Sequence, residues 1–412
     1  MFDINHNNSV IGTAAPFEFF KHNGYYSVGN KIFNRRMLAL QEASKTNTDL
    51  KWHFHDDVYS KINWQKRPDI NISELYRMRA KQLREKYDYL IVSWSGGADS
   101  TTIVDSFLKN NIPLDEIVIS WATSKADNYH TPNASLDASN MLSEWDYSIQ
   151  PQIDYYRTNY PNLKITVVDY INELNVTEDL EDTFDIIEKH SYISIKKFRA
   201  VDSILHKRLE KYKNVACLVG IAPVEPILLD QTYFGIYFFD NLMNSVPKSD
   251  YRLDGSPRII EYFYSSPDCP EIVQEQAHLM YNYFNDHPSQ RSLLSNLNMQ
   301  KDRTFLSSHA LTSFDIETVR HIRKGLIYPD WDLNIFQVAK PKMQTGLNEW
   351  YTWFYSNPHS KEFTDPWRTA VRSQESLINP KYFVVKDNQV INYKNCSTKV
   401  FVIGKFKPLE ST

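Results

Sequence analysis

Residues 89–105 read Tyr-Leu-Ile-Val-Ser-Trp-Ser-Gly-Gly-Ala-Asp-Ser-Thr-Thr-Ile-Val-Asp, and the order of those residue types decides the fold. Tyr89 to Val92 is a short apolar run of the kind that forms a buried strand, and Thr101 to Asn110 has the spacing of a helix that stops before Pro113. Between them stands Gly96-Gly97, the only adjacent glycine pair in a chain with 11 glycines. The most permissive backbone is therefore spent at one point. A strand that turns on glycine and leaves as a helix directs several amides and the positive end of the helix dipole to one spot, which makes an anion site.

Working outward, strand and helix patterns take turns. Upstream, Ser73 can cap a basic amphipathic helix in which Leu75, Met78 and Leu83 form a stripe beside Arg77, Arg79 and Arg84. Downstream, further strands are predicted at Glu116–Trp121, Leu163–Asp169 and Val215–Gly220, with helical segments over Leu136–Tyr156 and Ser191–Lys213. This alternation predicts an α/β fold: a doubly wound, mostly parallel sheet with helices on both faces and the ligand at the carboxyl ends of the strands. Residues 72–265 would form that domain. Residues 1–71 lack sustained periodicity and read as an N-terminal irregular arm. Residues 266–412 read as a helical region, with helices at Pro270–Phe284 and Thr312–Lys324 and an aromatic cluster at Trp350–Tyr355. That region ends in a β-hairpin at Tyr382–Val385 and Val390–Tyr393 and a strand at Lys399–Phe406.

Composition narrows the classes. A hydrophobic fraction of 42% with 23% charged residues over 412 positions is the balance of a globular protein with a substantial core. No apolar run approaches the ~18–20 residues of a membrane span, and Met1-Phe2-Asp3-Ile4 does not open a signal peptide, so no membrane partner and a cytoplasmic location are expected. Three scattered cysteines without a CxxC favour a reducing compartment over a disulfide framework. The net charge of −4 offers no broad grip on nucleic acid and leaves a local one open, while oligomeric state is not legible.

The loop itself is neither a GxxxxGK[ST] nor a GxGxxG sequence. Gly96 and Gly97 let backbone approach phosphate oxygens, the hydroxyls of Ser95, Ser100 and Thr101 can donate to them, and Asp99 can hold a Mg²⁺ that bridges phosphates. Strand-Ser-Gly-Gly-Ala-Asp-Ser-helix resembles the SGGxDS signature of the PP-loop ATP pyrophosphatase superfamily. That group takes in asparagine synthetase and GMP synthetase domains, NAD synthetase, tRNA thiolases and sulfonucleotide reductases. The resemblance covers roughly residues 76–235 and implies ATP and Mg²⁺ as ligands, α–β cleavage to AMP and pyrophosphate, and transfer of AMP to a substrate oxygen.

By position, the resemblance implies that Ser93, Ser95, Gly96, Gly97, Asp99, Ser100 and Thr101 contact the nucleotide, that Asp99 and Ser100 are catalytic, and that Asp99 is the metal ligand. Ser120 and Ala122, at the end of the second strand, would border the adenine. Gly220 and Glu225 resemble the glycine-then-acid segment that faces the nucleotide in several branches, or are a strand terminator and a solvated loop residue. Lys196, Lys197 and Arg199 are candidate cations for the anion site, Lys196 and Arg199 as catalytic groups, unless they form a solvated helix face.

Absences bear on the branch. Glutamine-dependent relatives carry a nucleophilic cysteine after Met1, where this chain has Phe2, so no built-in ammonia source is expected. Paired cysteines for thiolation are missing, and Cys396 lacks the Glu, Gly and His of the reductase motif. The leading expectation is adenylation of a carboxylate or carbonyl oxygen followed by displacement by ammonia or an amine, with a small-molecule or nucleotide substrate. A phosphoadenylylsulfate reductase-like enzyme and a non-catalytic nucleotide-binding module are the alternatives. Outside the loop, His53, His55 and Asp57 can share a strand face as metal ligands or be polar surface. Trp350, Trp353 and Trp367 can stack on a base or fill a core.

Overall fold

The computed structural model describes residues 24–33, 36–121, 145, 149–169, 201, 203–220, 224–240, 260–294, 314–328, 330, 377–378, 383–386, 389–393 and 396–408. The central layer contains β4 (Tyr89–Ser93), β5 (Glu116–Trp121), β6 (Lys164–Asp169), β7 (Val215–Val219) and β10 (Ile260–Tyr262) in the order β10-β7-β4-β5-β6, and every neighbouring pair is parallel. Helices accompany it: α3 (Ile72–Lys86), α4 (Ala98–Leu108), α5 (Gln150–Asn159) and a helical stretch at 203–209. The expected mostly parallel α/β layer is present. α3 is capped by Asn71, whose side chain accepts the Glu74 amide at 3.0 Å, and not by Ser73, which lies inside the helix.

β4, β5 and β7 are buried on both faces, which is why they read as near-continuous apolar runs, whereas the edge strand β6 buries only Val168. Alternate side chains divide between two cores. Tyr89, Ile91, Val118, Val215 and Cys217 join one, and Leu90, Val92, Ile117, Ile119, Ala216 and Leu218 join the other. Each fully buried Val, Leu or Ile contributes roughly 1.5–3 kcal/mol relative to exposure, so burial in this layer adds substantially to stability.

Residues 24–71 correct the expectation of an irregular arm. β1 (Tyr25–Val28), β2 (Lys31–Phe33) and β3 (Leu50–His53) form an antiparallel sheet in the order β2-β1-β3, accompanied by α1 (Arg36–Thr46) and the single turn α2 (Asp56–Tyr59). The pattern was illegible because β1 carries only two inward residues, Tyr26 and Val28. A second unforeseen sheet is β13-β9-β8, built from β8 (Glu225–Leu229), β9 (Tyr233–Tyr237) and β13 (Phe401–Lys405). The expected helices and hairpin of the C-terminal region appear as α6 (Glu271–Asp286), α7 (Phe314–Ile327), β11 (Phe383–Lys386) and β12 (Gln389–Tyr393).

Packing does not break at residue 71 or 265. Phe54 stands against Phe238 and Tyr262, and Trp64 stacks on Phe401 at 4.7 Å. Arg36 and Asp240 form a fully buried ion pair at 3.0 Å. Asp240 also accepts the Tyr26 hydroxyl and the Cys396 amide, so one carboxylate ties together the N-terminal sheet, the end of β9 and the C-terminal segment.

Glu116, at the amino end of β5, predicts acid sensitivity. It is buried and accepts from Arg208 Nε and Nη2, at 2.7 and 3.0 Å, and from the hydroxyls of Tyr89 and Thr166. Burial alone would raise its pKa, but these partners outweigh burial and hold it below 4.5. A depressed carboxylate stabilises the folded state above its unfolded pKa and loses that contribution as pH falls through the lower folded value. Stability measured by urea unfolding is therefore expected to drop as pH falls below about 4.5, and Glu116→Gln should be less stable at pH 7 with a flatter acid limb. Equal acid limbs in the two proteins would show that Glu116 is not the responsible group.

Candidate functional site

Strand order reverses between β4 and β7, since β5 and β6 extend the sheet on one side of β4 while β7 and β10 extend it on the other. At such a reversal the connections leaving the carboxyl ends diverge and open a crevice. The segments leaving β4 and β7 begin with residues 94–97 and Gly220, so topology brings the glycine turn and Gly220 together.

The turn is rigidly built. The Trp94 amide donates to the Val118 carbonyl at 2.9 Å, and its indole, 2% exposed, donates to Thr101 Oγ1 at 3.0 Å. Thr101 in turn donates to Gln152 Oε1 at 3.2 Å, and Gln152 Nε2 donates to the Gly96 carbonyl at 3.2 Å. The Ser95 amide donates to Ser100 Oγ at 3.1 Å, and the Gly97 amide reaches Ser95 Oγ at 3.4 Å. Gly96 has φ +75°, a conformation that favours glycine. Gly97 caps α4 without any side-chain bond, which leaves first-turn amides of the helix available to an outside acceptor.

Asp99 lies in that first turn, where the helix dipole favours a carboxylate. Tyr264 donates to its backbone carbonyl at 2.5 Å, and the Tyr328 hydroxyl donates to Oδ1. Tyr76 packs edge-on against Tyr264 at 5.4 Å and donates to the Ile327 carbonyl at 2.9 Å. Burial pushes the phenols of Tyr264 and Tyr328 well above 10.0, with the Asp99 charge adding to the effect, so both remain protonated donors.

From α7, Arg323 reaches the start of β8, the strand that follows Gly220. Its Nη1 lies 2.8 Å from Glu225 Oε1, with side-chain exposures of 8% and 15%. Burial disfavours the Arg323 charge, but Glu225, then Tyr328 and Asp99, outweigh that and raise its pKa, so the guanidinium stays charged. Gly220 is glycine because the chain passes too close for anything larger. A Cβ there would lie 2.9 Å from the Asp99 carbonyl carbon and 3.0 Å from the Ser100 nitrogen.

The structure thus gathers Ser95, Gly96, Gly97, Asp99, Ser100 and Gly220 directly, and adds Glu225 through Arg323. Ser93 and Ser120 are half-buried near the carboxyl ends of β4 and β5, with Ser93 opposite Val118 in register. Thr101 lies one residue further into α4, where its hydroxyl accepts the Trp94 indole and donates to Gln152, bracing the turn. Glu225 is neither a solvated nor a loop residue; it begins β8 and is ion-paired. Lys196, Lys197, Arg199, Ala122, Trp350, Trp353 and Trp367 lie outside the described residues.

Two other candidates are redirected. His53 Nδ1 meets Asp56 at 2.7 Å and its Nε2 meets Ser27 at 2.9 Å, whereas His55 is buried with φ 47° and Asp57 is exposed. β3 stops at His53, so strand alternation no longer aligns the three, and no metal-capable group of three or more such side chains occurs among the described residues. Cys396 is buried beside Asp240 in the core shared with Tyr26, and Cys217 and Cys269 are buried as well.

Sequence patterns missed Gln152, Tyr264, Arg323 and Tyr328. The abundance of tyrosine, 26 residues, was the available signal, but it names no position. A groove lined by Ser73, Thr102, Asp105, Lys109 and Asp330 flanks α4, yet shares no residue with the turn and has its charges paired internally. No helix among the described residues is long and apolar enough to cross a membrane. Compared with known proteins, the chain matches no family model, and no curated protein matches it significantly.

Proposed function

We propose that the chain is an ATP pyrophosphatase-type enzyme that binds ATP on the 95–100 turn, releases pyrophosphate and adenylates a substrate oxygen for displacement by ammonia or an amine. The observation that carries this reading is the glycine turn at the strand-order reversal, with Gly220 pressed against the Asp99 backbone. We read the layer as doubly wound with helices on both faces, in keeping with the division of its side chains between two cores.

The residues present fit the ligands. Gly96 and Gly97 keep side chains out of the turn, the capless end of α4 offers amides, and buried Arg323 brings a fixed positive charge. Asp99 Oδ1 is held by Tyr328, and Oδ2 has no hydrogen bond among the described residues, which suits Mg²⁺ held by one carboxylate, substrate phosphates and water. Such an ion supplies neutralisation of phosphate charge. In the reaction, a carboxylate or carbonyl oxygen of the substrate attacks the α phosphorus, and the bond to the bridging oxygen breaks with its electron pair leaving on pyrophosphate. The amides of α4 stabilise that developing charge, joined by the Ser95 and Ser100 hydroxyls as they turn from their bonds within the loop to the phosphate, and Tyr264 and Tyr328 hold Asp99 in place.

No observation favours the sulfonucleotide-reductase alternative, as all three cysteines are buried. The test is incubation of the protein with Mg²⁺ and α-labelled ATP, with and without a small-metabolite extract. Labelled AMP with equimolar pyrophosphate is the expected result. ADP would overturn the assignment, and bound but uncleaved ATP would make the chain a nucleotide-binding module.

A further inference from the structure

We propose that Arg323 is an anion-binding residue of this site, gripping phosphate oxygens of the ligand, and that Glu225 is its built-in competitor. The inference rests on the nucleotide reading and gives α7, which no sequence motif explained, a part in binding.

Three arginines elsewhere in the molecule hold their carboxylates with two nitrogens each. Arg67 grips Glu275 with two nitrogens at 2.9 and 2.6 Å, Arg208 grips Glu116 at 2.7 and 3.0 Å, and Arg77 grips Glu74 at 2.7 and 2.5 Å. These are two-pronged pairs, although single-nitrogen pairing also occurs, as in the buried Arg36–Asp240 pair at 3.0 Å. Arg323 has fewer contacts than the three paired guanidiniums. Only Nη1 touches Glu225, the same nitrogen reaches the Val224 carbonyl at a marginal 3.5 Å, and Nε is buried with no hydrogen bond among the described residues. Arg79 also leaves Nε unpaired, but its terminal nitrogens meet Gln82, Glu261 and the Tyr262 carbonyl.

A buried guanidinium with spare donors calls for an explanation, because an unmet buried donor is unfavourable. Position supplies one. Arg323 lies within the electrostatic reach of Asp99, and Tyr328, five residues later in sequence, bonds the Asp99 carboxylate directly. Arg323 is bound to Glu225, five residues beyond the Gly220 that presses on the Asp99–Ser100 backbone, so both chain segments around the guanidinium lead to the first turn of α4, where arginine and amides together suit a phosphate better than either alone. Glu225 opposes this, since the guanidinium cannot satisfy the carboxylate and a phosphate equally.

The competitor relation gives the test its sign. Calorimetric titration of the full chain with magnesium pyrophosphate, and separately with ATP, would compare wild type, Arg323→Gln, Arg323→Lys and Glu225→Gln, with thermal unfolding alongside. The expected result is at least tenfold weaker binding in Arg323→Gln, partial recovery in Arg323→Lys, and about threefold or greater tightening in Glu225→Gln, whose released guanidinium is free for the ligand. A purely structural ion pair predicts that both partners' variants unfold at lower temperature and shift binding in the same direction, which would overturn the proposal. Should Arg323→Gln fail to fold, the sign of the Glu225→Gln effect still decides. Wild type that binds neither pyrophosphate nor ATP would defeat the nucleotide reading and this inference with it, whereas wild type that binds and an Arg323→Gln variant that binds equally well would defeat the Arg323 assignment alone.

Discussion

Asp99→Asn is expected to lower pyrophosphate release from ATP by at least about 100-fold while leaving the protein folded, the size of effect seen when a group that stabilises developing charge is removed. The substitution is nearly isosteric, and an asparagine carbonyl can still accept the Tyr328 hydroxyl that now bonds Oδ1. The hydrogen bond from Tyr264 ends on the Asp99 backbone carbonyl and is untouched by the change. What disappears is the negative charge at the start of α4, and with it the carboxylate oxygen open to Mg²⁺. The helix dipole loses a favourable partner worth about 0.3–1 kcal/mol, a small change beside the loss of activity. Steady-state pyrophosphate release over a Mg²⁺ titration, with thermal unfolding as the fold control, measures both. Undiminished turnover would remove Asp99 from the reaction and leave it as a positioning group for the turn.

How far such a site can be read from sequence depends on whether its parts are local. The strands at Tyr89, Glu116 and Val215 were legible because a parallel strand buried on both faces is an unbroken apolar run, and the edge strand at Lys164 because Ile165 to Val168 are all β-branched. β10 was not, since Ile260-Glu261-Tyr262 is too short to show a period. The β8–β9 hairpin escaped because its turn residues, Asp230 and Gln231, both take positive φ (47° and 56°) without the Asn-Gly or Asp-Gly pair that signals such a turn. The anion loop announced itself because strand, glycines, Asp99 and helix are contiguous. Its partners did not: the Tyr328 hydroxyl reaches Asp99 across 229 positions of sequence and Tyr264 across 165, and no local pattern encodes a contact of that length. Arg323 looked like any charge on an amphipathic helix until the fold buried it against Glu225.

Gly220→Ala is expected to weaken nucleotide binding by about tenfold or more and to destabilise the protein by roughly 1–3 kcal/mol, the usual range for inserting a methyl where packing leaves no room. The neighbours a Cβ would meet are the carbonyl carbon and oxygen of Asp99 at 2.9 and 3.0 Å and the Ser100 nitrogen at 3.0 Å. All are backbone, and that backbone is pinned by Tyr264 from one side and by the Ser95–Ser100 bonds from the other, so it cannot yield by turning a side chain. Relief has to come from displacing the first turn of α4, whose amides form the anion site, or from separating β7 from β4. The other glycines calibrate the effect. At Gly97 a Cβ would meet only the Ser95 hydroxyl at 3.3 Å, which can move, so Gly97→Ala should be mild. At Gly96 the obstacle is φ +75°, a strain of about 1–2 kcal/mol for an L-residue, borne at the turn itself. The expected order of damage to ATP affinity is therefore 220, then 96, then 97, read from calorimetric Kd values and urea midpoints for the three alanine variants. If Gly220→Ala binds and unfolds like wild type, the contact between the end of β7 and the start of α4 does not shape the site, and the case for an anion cradle at the strand-order reversal loses its main support.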